Sequence, residues 1–339
     1  MVACVGVVAL SVAAPAVTAQ ATVGPGPVLD STPLTTVINA ATARKQTIFS
    51  VQVAAQQGDR RFVRSDVVVS GVSMPSGQPN LFLGTSITCT GPSGATVLDV
   101  EGGTNVWSTD ANFDIPIVGT FTAKTAGTYT CVTQAMICDP GSCTSPASAG
   151  TVTLASSSGG SSQGSQLYVS GALPAWATVV QIPKANDVLV NPGRSLTMAK
   201  ALNLTGVSGT FAMGSFVSLT NCIVKSYPAA CNAATKMAVQ GSSSVTVTFA
   251  IAQRATTPGA KCTTMASSPQ RQVITWREHH AVIDIAIPNV TLSTAPGCGS
   301  SVVATTTVNV AAGNSVAVEG GTKSVVQSAT YALPGALQP

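Results

Sequence analysis

Short runs of alternating apolar and polar residues, each closed by Gly, Pro, Ser, Asn or Asp, recur from Thr47 almost to the end of this chain. They constrain its fold more than any other feature. In the first half they read TIFSVQVAA, RFVRSDVVVSGV, TSITCTG, ATVLDV, IPIVGTFTA, GTYTCVTQA and GTVTLAS. A period of two puts every second side chain on the same side of an extended strand, so each run can bury one face and leave the other wet. No stretch carries a convincing helical period. Only the Ala content of NAATARK near Asn39 and NAATKMAV near Asn232 argues for a short helical turn. Short strands separated by turn residues at this spacing predict sheets packed face to face in an all-β protein.

At 339 residues the chain is long enough for two such units, each with its own core. Ser156 to Ser165, SSSGGSSQGS, reads as a flexible linker that divides it. The expected organisation is a signal sequence over 1–21, a flexible lead-in rich in Pro and Thr over 22–46, a β-sandwich over 47–155, a Ser/Gly-rich linker over 156–166 and a second, larger all-β sandwich-like domain over 167–336.

The apolar opening MVACVGVVALSVAAPAVTAQA ends in small residues, with cleavage expected after Ala19 or Ala21, although no Lys or Arg precedes the apolar run. No later stretch has the length and apolarity of a transmembrane helix. Cys4 falls within the signal. Removing it leaves an even set of Cys89, Cys131, Cys138, Cys143, Cys222, Cys231, Cys262 and Cys298, which in a secreted chain argues for disulfides in an oxidising compartment. Zinc is disfavoured because no C-x-x-C pair exists and only two histidines are present. In ICDPGSC the turn Asp139-Pro140-Gly141 lets Cys138 and Cys143 close a small staple. The four cysteines of the second half allow three connectivities, with Cys222 to Cys231 and Cys262 to Cys298 favoured as local pairs.

The segment TAKTAGTYTCVTQA, Thr122 to Ala135, resembles the strand F signature of immunoglobulin-like domains of secreted and cell-surface proteins. The resemblance covers roughly Thr47 to Ala155. It implies that Tyr129 turns its hydroxyl onto nearby backbone and that Cys131 bridges the two sheets to a partner, for which Cys89 in GTSITCTG is placed. Trp107 departs from the family pattern: it follows Cys89 at too great a distance for the core tryptophan and is expected in a loop.

Charged residues make up 8% of the chain, against roughly 25% in an average soluble protein. The surface is therefore largely neutral and polar, and strand edges carry few charges to discourage self-association. A net charge of +4, with one local cluster at Arg60, Arg61 and Arg64, excludes a nucleic-acid footprint. That cluster, in GDRRFVRSD, reads as a solvated turn with flanking strand residues.

Catalytic signals are weak. Gly160-Ser161-Ser162-Gln163-Gly164 matches the letters of a hydrolase elbow but lies within the linker. His279 and His280 adjoin on an expected strand and should face opposite sides. Glu278, His280 and Asp284 would share a face as a weak metal or acid/base candidate, although an exposed polar strand face is the plainer account. Asp110, Asn112 and Asp114 lack the full ligand set of a calcium loop, and the acids Asp99 and Glu101 read as turn residues. Trp107, Trp176 and Trp276 would form a stacking platform only if exposed. No catalytic residue, metal or cofactor is assigned.

The expected function is noncatalytic: a secreted or cell-envelope protein with a binding, adhesion or structural role, whose partner is a protein or surface glycan. Two rivals stand beside it. One is a carbohydrate-binding or hydrolytic protein using the second domain, which coplanar exposed tryptophans or a cleft of Glu278, His280 and Asp284 would favour. The other is a self-assembling surface or filament subunit joined by strand addition, which an unpaired edge or a free N-terminal strand would favour.

Overall fold

The computed structural model describes residues 23–24, 27–40, 45–74, 76, 80–109, 113–139, 142–146, 149–155, 164–183, 186–225, 228–320 and 328–335. The expected signal sequence, most of the Ser/Gly linker with its Gly-x-Ser-x-Gly letters, and Asp110 and Asn112 lie outside them. The described chain is all-β apart from a 3-10 turn at Ala229–Ala233, at the head of the second Ala-rich segment.

Twelve strands build the first half: β1 (Val23–Gly24), β2 (Val28–Asp30), β3 (Val37–Asn39), β4 (Gln46–Ala55), β5 (Arg60–Ser73), β6 (Leu81–Thr90), β7 (Thr96–Val106), β8 (Phe113–Thr122), β9 (Gly127–Asp139), β10 (Ser142–Pro146), β11 (Thr151–Leu154) and β12 (Gln166–Val169). The first sheet runs β1-β4-β9-β6-β7 with β10 beside β9, and the second runs β2-β12-β5-β11-β3 with β8 beside β5. One apolar core lies between them, with Ile48, Val51, Val53, Ile87 and Tyr129 on one side and Val63, Val67, Ile115 and Val152 on the other.

Eleven further strands follow: β13 (Thr178–Gln181), β14 (Val188–Val190), β15 (Arg194–Asn203), β16 (Phe211–Asn221), β17 (Ser243–Ala255), β18 (Thr264–Ala266), β19 (Gln270–Ile274), β20 (His280–Val290), β21 (Cys298–Gly313), β22 (Val316–Val318) and β23 (Ala329–Pro334). The third sheet is β13-β23-β16-β22-β14 with β20 on the other side of β16, and the fourth is β15-β21-β17-β18 with β19 on β17. A second core fills the space between these two sheets.

Two expected boundaries shift. The lead-in over 22–46 holds β1, β2 and β3, because Val28 and Ile38 bury themselves in the first core while their strands pair with β12 and β11. Gln166–Val169, expected to open the second unit, pairs instead with β5 and β2 of the second sheet, with Leu167 and Val169 fully buried.

Disulfides join Cys89 to Cys131, Cys222 to Cys231 and Cys262 to Cys298. Cys138 is also disulfide-bonded, while the side chain of Cys143 lies outside the described residues. Cys89 and Cys131 stand directly opposite each other on the hydrogen-bonded neighbours β6 and β9. Their bond therefore staples adjacent strands of one sheet, whereas the immunoglobulin resemblance implied a bridge between two sheets. The tyrosine expectation fits: Tyr129 Oη donates to the Thr125 carbonyl at 2.8 Å, and its ring stacks on Phe121. Trp107 lies just beyond the end of β7, outside any strand.

Candidate functional site at the junction of the sandwiches

β16 differs from every other long strand in being buried at all its positions. FAMGSFVSLTN has small or apolar residues at both parities, so neither face is marked for solvent. Met213, Val217 and Leu219 fill the second core, while Phe216 turns the other way and joins Phe62, Leu173, Ala177, Tyr331 and Leu333 in a smaller apolar cluster between the sandwiches. Gly214 lies under the Tyr331 ring, which a Cβ there would strike. A junction is thus specified on the outer faces of the second and third sheets.

At its rim the Arg64 guanidinium lies over the Phe216 ring, 5.4 Å from the centroid. Its Nε donates to Asp66 Oδ1 at 2.9 Å and its Nη1 to Asp284 Oδ2 at 2.9 Å. Tyr331 Oη donates to Asp284 Oδ1 at 3.2 Å, and Gln166 Nε2 to Asp66 Oδ2 at 2.8 Å. Asp114 comes from β8, where the register sets it diagonally across from Asp66 and within hydrogen-bonding reach. Three carboxyls thus face one cation. Crowding by protein and the charge of Asp66 push the Asp114 carboxyl up to about 8. Crowding also raises Asp284, against the pull of Arg64. Both side chains still reach solvent, 29% exposed at Asp284, so this is the rim of an interface and not a sealed interior. Burial opposes the Arg64 cation, but Asp66 and Asp284 hold it protonated.

A second polar cluster lies at the head of β20. Glu319 accepts from Ser218 Oγ at 2.9 Å and from Thr220 Oγ1, and His280 Nδ1 sits 3.4 Å from Glu319 and 2.8 Å from Thr220 Oγ1. Burial disfavours the Glu319 anion, yet the hydrogen bonds from His280, Thr220 and Ser218 outweigh it and hold the carboxyl below its ordinary range. His279 Nδ1 meets Asn105 Nδ2 of the first sandwich at 2.8 Å. Burial and the neighbouring His280 push His279 down to about 3, so it is neutral. Nearby, Trp107 and Trp276 meet edge to face at 79°, Arg277 lies over both rings, and Trp107 Nε1 donates to the Arg277 carbonyl.

These placements correct several expectations. Glu278 is exposed in the turn before β20 and does not join His280 and Asp284, which serve separate clusters. The histidines do not face opposite ways: His279 precedes the strand, and the two rings lie 4.3 Å apart. Arg60, Arg61 and Arg64 are not a solvated turn. Arg61 is 2% exposed and bonds Asp59 and the carbonyls of Ala54 and Ser170, while Arg60 donates to the Ala177 carbonyl. The tryptophans form no coplanar platform among the described residues, since Trp176 packs edge-on against Phe211. Glu319 and Tyr331 were missed. The only sequence signal was a lone acid in the apolar run SVAVEGG.

Among the described residues, no three His, Cys, Asp or Glu side chains converge as a metal site, and no helix is long and apolar enough to cross a membrane. The disulfides fit an oxidising, extracytoplasmic compartment.

No protein-family model matches the chain, and no curated protein does. Solved structures similar to it include the tandem CBM22-1–CBM22-2 domains of Paenibacillus barcinonensis Xyn10C, at 8% identity and TM-score 0.20, covering 84% of this chain and 82% of that one. Broad bean stain virus follows at 9% and 0.21, covering 87% and 79%. The Gt strain of infectious bursal disease virus stands at 11% and 0.22, covering 94% and 71%. At such TM-scores none of these likenesses bears on function.

Proposed function

We propose that the chain is a noncatalytic secreted or cell-envelope protein that binds a surface glycan or protein through the exterior of two docked β-sandwiches. The observation that carries this is the use made of its reactive side chains. His279, His280, Asp284, Glu319 and Arg64 are the groups a hydrolase would need, and each is engaged by a neighbour across or beside the junction. Ser218 donates to Glu319, so no serine there is activated by a histidine base. The outward strand faces carry many Ser and Thr hydroxyls, suited to recognition.

Self-assembly by strand addition is the second reading. It is favoured by β4, whose outer edge among the described residues is engaged at Gln52 and Val53 through the parallel β1 and at the Ile48 carbonyl by the Leu34 N–H. Size-exclusion chromatography with light scattering on the mature, oxidised protein from about Gln20 separates the two. A concentration-independent monomer that binds on glycan or surface-protein arrays and turns over no polysaccharide is the expected result. Regular large assemblies would replace it with the assembling subunit, and turnover would overturn the noncatalytic assignment.

A further inference from the structure

The two faces of the second sandwich differ in charge. Residues 167–339 hold ten Lys and Arg against four Asp and Glu. Of those acids, Asp284 and Glu319 belong to the junction, and Asp187 accepts from the backbone of Gly320 next to Glu319. The fourth sheet lies on the far side of the core. Its strands and the segments 204–210, 256–263 and 267–269 contain no Asp or Glu; the one acid in a segment that follows a strand of this sheet is Glu278, exposed in 275–279 after β19. They do contain Arg194, Lys200, Arg254, Lys261 and Arg271, none of which makes an ion pair with a described residue.

Lys200 has a simpler role: it takes the core-facing parity of the edge strand β15, where a charge discourages a further strand from adding. Arg254 and Arg271 take the outward parity. Arg271 heads a row that continues through Thr246, Asn309 and Ser195, and the next row is Thr248, Thr307 and Thr197. These two hydroxyl and amide rows lie at the Arg271 end of the outer face, and the rows between them and Arg254 are mainly Ala and Val: Ala266, Ala250, Thr305 and Ala199, then Thr264, Ala252, Val303 and Ala201. Its strands carry one aromatic residue, Phe249, which is buried in the core, so no base-stacking platform faces outward. Val273 is its one strongly exposed large aliphatic side chain among the described residues, too little apolar surface to enter a lipid interface.

We propose that the outer face of the fourth sheet docks an acidic polysaccharide, with Arg254 and Arg271 meeting its carboxylates and the Ser, Thr and Asn rows meeting its hydroxyls. This rests on the glycan-binding form of the function above. Charge complementarity sets the partner's sign, and the row of neutral hydrogen-bonding groups matches a hydroxylated polymer better than a phosphate backbone.

The test measures binding of the full mature, oxidised protein to polygalacturonate, with neutral dextran as the comparison polymer. Polygalacturonate should bind and dextran should not, and affinity should fall roughly tenfold as salt rises from about 0.05 M to about 0.3 M. R254Q/R271Q should weaken binding by about tenfold at low salt with an unchanged melting temperature. K225Q/K236Q, which removes the same charge from exposed lysines off the fourth sheet, should bind as the parent does. Equal losses in the two variants, equal binding of dextran, or tighter binding of single-stranded DNA would each overturn the inference. Binding to no glycan, with binding on a surface-protein array, would overturn it while leaving the noncatalytic binding function intact.

Discussion

Single residues at the junction carry testable energies. Tyr168 projects from β12 into the interface, and its Oη has no hydrogen-bond partner among the described residues. A buried hydroxyl without a partner costs about 1–3 kcal/mol, so Tyr168→Phe should stabilise the protein by about 1 kcal/mol in urea titration; destabilisation would show that the hydroxyl is satisfied in solution. Asp114 predicts a pH dependence of definite sign. Its folded carboxyl is raised to about 8, so the folded state holds a proton that the unfolded state releases near pH 4. That contribution is fully present below the unfolded value and is lost as pH rises through about 8. Asp114→Asn should leave the melting temperature near pH 4 unchanged and raise it at alkaline pH. An equal effect at both ends would show that the proton is not there, and solvent at the rim will make the shift smaller than for a sealed carboxyl.

At the scale of the element, period two, turn residues and cysteine spacing carried most of the information. Removing the staple between β6 and β9 by Cys89→Ala with Cys131→Ala opens a loop of separation 42. The chain-entropy estimate puts the loss at roughly 4 kcal/mol, to be read as a shift in denaturation midpoint at constant slope. A loss under about 1 kcal/mol would mean that the strand ladder alone fixes this register. The sequence marked both cysteines but not that their strands are neighbours, because alternation reveals which face is buried and not which strand lies alongside. The same limit explains β12. QLYV alternates as an ordinary strand, and only its partners β2 and β5 assign it to the first sandwich. β2 and β3 were hidden for a different reason: three-residue strands are too short for any period to register. Arg64, Asp284 and Glu319 could not be grouped from sequence at all, since they come together only through the docking of distant strands.

At the scale of the molecule, the junction should decide whether the two sandwiches melt as one body. Its apolar cluster is small, and at its rim one guanidinium is shared between carboxylates from both sides. Replacing Arg64 with Met keeps the length of the side chain over Phe216 but leaves Asp66 and Asp284 facing each other without a cation. Removing the cation leaves the buried Asp66 and the more exposed Asp284 without a partner, and the repulsion acts across the interface, so it should separate the sandwiches before it unfolds either core. Calorimetry of Arg64→Met near neutral pH is expected to split one transition into two, and small-angle scattering is expected to show a larger radius of gyration. A double variant, Arg64→Met with Asp284→Asn, removes one of the stranded charges and should recover much of the single transition. If Arg64→Met melts in one transition at an unchanged radius, the apolar cluster and the His279–Asn105 contact hold the junction by themselves, and the ionic centre serves only to set its geometry.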